Sequence, residues 1–100
     1  MVLALPAAWA QGEPRATRVV VLSDFNESYA STRYLAPVDR AVQRTVVLAP
    51  DLVISTGDMV AGQRVAPPLL HAELASMWQA FHAHVTEPLA KAALPFAVTP

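Results

Sequence analysis

Apolar residues run unbroken in three short stretches of this chain, and each stretch ends in small or polar residues. Val19-Val20-Val21-Leu22 leads to Ser23-Asp24, Leu52-Val53-Ile54 to Ser55-Thr56-Gly57-Asp58, and Phe96-Ala97-Val98 to Thr99-Pro100. Runs of this length, rich in β-branched residues and without polar alternation, predict strands buried on both faces, as in a parallel sheet. Strand one is expected over Arg18 to Ser23, strand two from Asp51, and strand three from Phe96.

The segments between the strands carry a different period. Val38, Ala41, Val42, Thr45 and Val46 recur at helical spacing, with Pro37 suited to a first helical turn, Asp39 near the positive N-terminal end, and Arg40, Gln43 and Arg44 on the wet side. Pro50 cannot continue that helix. After the Pro67-Pro68 pair, Leu70, Leu74, Met77, Trp78, Phe81 and Val85 repeat every three or four residues, which predicts a second helix starting near Leu69 or Leu70 with Trp78 and Phe81 in the core. Pro88 interrupts this pattern, so a kink or break is expected near Thr86, with Thr86 capping a short segment from Glu87 to Ala93. The order strand, helix, strand, helix, strand predicts an α/β fold with parallel strands.

Composition narrows the class. One hundred residues at 54% hydrophobic suffice for one domain, and a net charge of -1 with dispersed Arg and Glu gives no basic stripe for nucleic acid. No apolar run reaches the roughly 18–20 residues of a membrane-spanning helix. Cysteine is absent, which excludes disulfides and thiolate metal sites. At the N-terminus, Met1 to Ala10 is apolar and closes with Ala8-Trp9-Ala10, a small-x-small pattern of the kind cut by signal peptidase. It reads as a signal-peptide remnant, with Gln11 to Thr17 as a linker, and predicts export to the periplasm or the exterior.

The chemistry sits where the strands end. Gly57 lets the backbone turn sharply, and Asp58 then stands just beyond the carboxyl end of strand two, where open α/β sheets place their ligands. Strand one repeats the plan with Asp24. Parallel pairing brings the two carboxylates to one edge of the sheet, an unfavourable juxtaposition unless something positive lies between them. The polar loop Phe25 to Ala36 leaves from the same edge, a place where loops carry specificity. His71, His82 and His84 are expected at the rim or in solvent, because residues two apart on a regular helix cannot chelate one ion.

Val-Val-Leu-Ser-Asp-x-Asn, Pro-Asp-Leu-Val-Ile-Ser-Thr-Gly-Asp-Met-Val and Leu-Pro-Phe-Ala-Val-Thr-Pro together resemble the opening third of the calcineurin-like metallophosphoesterases, over Arg18 to Pro100. The resemblance implies the N-terminal part of a metallophosphoesterase-type α/β sandwich, truncated before a third motif, Gly-Asn-His, that would follow Pro100. It implies hydrolysis of phosphoester bonds in small-molecule substrates by two divalent ions of the Mn, Fe or Zn type, with Asp24 binding one ion and Asp58 bridging both. Asn26 stands where that family has a His. Its amide oxygen suits a hard cation and holds Zn or Fe less strongly than imidazole does. The resemblance further implies that this stretch by itself is inactive, because the later ligands are not in it. A second reading is a noncatalytic α/β binding domain in which Asn26 marks a degenerate metal site and the Phe25 to Ala36 loop holds a ligand.

Overall fold

The computed structural model describes residues 15–26 and 28–99. The expected signal-peptide remnant, Met1 to Ala10, lies outside the described residues, as do most of the linker, Glu27 and Pro100. Seven elements follow in order: β1 (Val19–Leu22), α1 (Ala36–Leu48), β2 (Leu52–Ser55), α2 (His71–Phe81), a π-helical turn (His82–Thr86), α3 (Glu87–Lys91) and β3 (Phe96–Val98). The strands form one parallel sheet in the order β1-β2-β3, with Val20 beside Val53 and Val53 beside Phe96. The fold is α/β, as the alternating periods predict.

The core lies between the sheet and the helices. Phe25, Val42, Val53, Phe81, Val85 and Leu89 are buried together, with Leu22, Val38, Val46 and Phe96 packed against them. Each such side chain contributes about 1.5–3 kcal/mol by leaving water. Burial is one-sided, which corrects the expectation for the strands. Val53 and Ser55 of β2 are fully buried, whereas Val19 and Val21 of β1, which point the other way, are 44% and 58% exposed. The helices contact one another and pack on the Val53 face, whereas on the opposite face Leu52 and Ile54 of β2 are half-buried. An unbroken apolar run says that both faces avoid water. It does not supply the second cover.

Helix α1 ends as Pro50 demands. Ala49 takes a left-handed conformation (φ 46°), its N–H donates to the carbonyls of Thr45 and Val46, and Pro50 follows with no N–H to offer. The Leu48 carbonyl accepts instead from Arg18 Nη1 at 2.8 Å. Asp51 next to it accepts from the Arg18 backbone N–H at 2.8 Å and pairs with Arg15, so part of the expected linker is tied to the start of the sheet.

The second helical region is interrupted near Thr86, as Pro88 predicts, and a new segment starts at Glu87, but the chain neither breaks nor caps at Thr86. It widens by one residue per turn over His82–Thr86, and the Glu87 N–H reaches back five residues to the His82 carbonyl. Proline lacks an N–H and its ring clashes with the carbonyl four residues earlier, and a wide turn relieves both. It also aligns the core: in a regular helix positions four apart drift by about 40° per step, and the wide turn winds part of that drift back so that Phe81, Val85 and Leu89 are all buried. Thr86 bonds the His82 carbonyl and makes no cap. The segment after it ends at Lys91, where Ala93 (φ 57°) donates to Ala90 and Leu94 to Leu89 in a Schellman closure. Trp78, expected in the core, is 38% exposed and meets Phe81 edge-on at 5.8 Å. Leu70 is likewise outside the core, at the N-cap of α2, where Glu73 accepts its backbone N–H at 2.7 Å.

Candidate metal-binding edge of the sheet

Both carboxylates singled out in the sequence sit where the chain leaves a strand in a left-handed conformation. Asp24 follows β1 with φ 57°, and Asp58 follows β2 and Gly57 with φ 56°. Asp tolerates this region better than most residues, yet the conformation is sparsely populated and has to be held by its surroundings. Gly57 has φ 121°, which only glycine adopts without strain, and the space where its Cβ would stand is open. The turn therefore needs glycine for its backbone rather than for want of room.

The two strand ends are laced together. Thr56 N–H donates to the Leu22 carbonyl at 3.1 Å, and Phe25 N–H to the Asp58 carbonyl at 3.3 Å. Asn26 Nδ2 donates to that same Asp58 carbonyl at 2.8 Å. The β3 end joins them, with Thr99 N–H donating to the Ser55 carbonyl at 2.9 Å. Loss of one strand would thus free polar backbone groups at the ends of its neighbours.

The side chains divide between two clefts. Asn26, Ser28, Tyr29, Asp58, Ala61 and Gln63 line an open cavity of about 690 Å³, within the size range of small-molecule sites. Asp24 lines a second cleft of about 200 Å³ with Leu22, Ser23, Phe25, Pro37, Val38 and Ala41. The edge thus gathers all three residues expected as ligands; Asn26 and Asp58 line the larger of these two clefts and Asp24 the smaller. Because the Asn26 amide nitrogen is engaged with backbone, its Oδ1 is the atom left for a cation. Neither Asp24 nor Asp58 forms an ion pair among the described residues. Among them, too, no three His, Cys, Asp or Glu side chains converge as a metal site. Asn26 and Asp58 bring an amide and a carboxylate oxygen donor to one cavity. A two-ion centre does not fit the described donors alone.

The histidines stand apart from this edge. His82 Nδ1 lies 2.7 Å from Thr86 Oγ1. His84 is half-buried: its Nδ1–H donates to Asp39 Oδ1 at 2.8 Å, and its ring stacks on Tyr34 with centroids 4.9 Å apart and planes 28° from parallel. Tyr34 in turn donates its hydroxyl to the Met59 carbonyl at 3.2 Å, and burial pushes its phenol above the ordinary value. Sequence reasoning missed this group. Asp39 and His84 are 45 positions apart, and no local period relates them. Phe25 was missed as well: placed in a polar loop by its neighbours, it is buried edge-on against Phe81 at 5.4 Å.

Compared with known protein families, curated proteins and solved structures, the chain matches none.

Proposed function

We propose that this chain carries the first two metal-binding turns of a metal-dependent phosphoesterase, and that Asp58 is its principal ligand, with Asn26 Oδ1 from the same cavity and Asp24 from a second cleft at the strand ends. The observation that carries the reading is the pair of left-handed aspartates at neighbouring parallel strand ends. Two like charges held in a costly backbone conformation, at the edge where α/β sheets bind ligands, are accounted for by a cation and poorly accounted for by stability. The residue pattern that resembles the calcineurin-like metallophosphoesterases supports the same assignment. A bound divalent ion there supplies Lewis acidity toward a phosphoryl oxygen. The chain's own part is to present carboxylate and amide oxygens from a fixed turn, and the remaining ligands of a two-ion centre come from outside the described residues. The substrate is a small-molecule phosphoester, and the protein works after export.

The second reading, a noncatalytic binding domain, draws on the separation of Asp24 from the Asn26 and Asp58 cleft. One titration separates the two. Manganese and zinc are added to the chain and to the Asp58→Asn and Asp24→Asn variants, with hydrolysis of an aryl phosphate followed alongside. The proposal expects cation binding that Asp58→Asn removes, and no turnover from these donors alone. Wild-type binding no stronger than that of Asp58→Asn would sink it and leave the binding domain.

A further inference from the structure

The Asp58 turn is held from behind by a brace that reaches into the helical layer. We propose that Tyr34 is a positioning residue for this turn, and that His84 and Asp39 keep Tyr34 in place. The brace itself stands on geometry; its use, to hold a cation-binding turn, rests on the function proposed above.

Two consecutive carbonyls of the turn are clamped from the two ends of one loop. Asp58 O accepts from Phe25 N–H and Asn26 Nδ2, and Met59 O accepts from the Tyr34 hydroxyl. A left-handed aspartate persists only where its surroundings over-determine it, and these three bonds do so. Tyr34 can act this way because its ring is fixed. His84 stacks on it, and His84 is oriented by its bond to Asp39 on α1. A phenol is protonated and therefore a donor at neutral pH, and burial only raises its pKa further.

The position of His84 depends on the π-helical turn. That turn lets Val85 face the core while His84 meets Asp39 and Tyr34 beside it. Wide turns of this kind are uncommon and recur at functional sites. Here one precedes Pro88, and the brace makes use of it. The path runs from α1 through the wide turn to the loop and ends one residue from Asp58.

Amide exchange reads the brace without any metal. The Phe25 amide donates to Asp58 O and reports the clamp, whereas the Val53 amide donates to Pro95 O at 2.9 Å within the sheet and reports global opening. Removing the hydroxyl in Tyr34→Phe should speed exchange at Phe25 about five- to tenfold, the worth of one hydrogen bond, and leave Val53 unchanged. His84→Ala should act in the same direction; if that variant fails to fold, Tyr34→Phe, which lacks a single oxygen, still decides. Unchanged Phe25 exchange would overturn the brace, and so would equal acceleration at Phe25 and Val53, which signals general destabilisation. Manganese, added alone, then reads the purpose of the brace: Tyr34→Phe should raise by a similar factor the concentration that half-broadens the Asn26 and Asp58 signals. A wild-type protein that ignores manganese while Tyr34→Phe still frees Phe25 overturns the cation-holding role and leaves the brace standing.

Discussion

Asn26 donates its side-chain amide to the backbone carbonyl of Asp58 across 2.8 Å, so this residue is tied to the carboxylate-bearing turn itself. That bond fixes which end of the amide faces the cleft. It also leaves Oδ1 as the atom that the proposed cation would meet.

Replacing Asn26 with His should therefore move two measurements in opposite directions. Imidazole raises affinity for a Zn- or Fe-like ion, while loss of the amide bond costs about 1 kcal/mol of stability. Metal titration and thermal melting of Asn26→His check both, and a variant with unaltered metal affinity places Asn26 outside the coordination shell.

Asp58 separates charge from backbone. Asp58→Asn keeps a side chain that tolerates φ near 56° and should melt close to the wild type while losing cation binding. Asp58→Val puts a β-branched residue in the same conformation and should lose a further 1–3 kcal/mol, roughly the cost of such strain. Equal stability of the two variants would falsify the claim that the turn stays left-handed without its carboxylate.

Acid should loosen the far end of the sheet. The Arg18 backbone N–H, with help from the Arg15 guanidinium, holds the Asp51 carboxyl below the usual carboxylate range. A carboxyl depressed by folding adds stability above its unfolded pKa of about 3.9, and that stability is lost as pH falls through the lower folded value. Denaturant midpoints measured downward from about pH 4 should fall more steeply for the wild type than for Asp51→Asn. Parallel curves would show that Asp51 carries no such linkage.

Export is expected from Ala8-Trp9-Ala10. Expressed in a bacterial host with its native N-terminal sequence, the protein should be recovered from the periplasm beginning at Gln11. Intact mass showing Met1 retained in a cytoplasmic fraction counts against it.

The sequence by itself determined the order of the strands and helices and the edge at which Asp24, Asn26 and Asp58 gather. Those features depend on local causes: β-branched runs, a 3.6-residue period, and Pro50 and Gly57, whose backbone limits hold in any context. Three things waited for the tertiary structure. Which sheet face is covered depends on where the helices land, so Val21 and Val53 belong to similar runs yet end on opposite faces, one exposed and one buried. Whether Pro88 breaks or widens its helix depends on the core that Phe81, Val85 and Leu89 must fill together, and packing favours the wide turn. The division of Asp24 and Asp58 between two clefts, and the brace from Asp39 through His84 and Tyr34 to Met59, join residues tens of positions apart. Such contacts exist only once the chain has closed on itself, and no period along it encodes them.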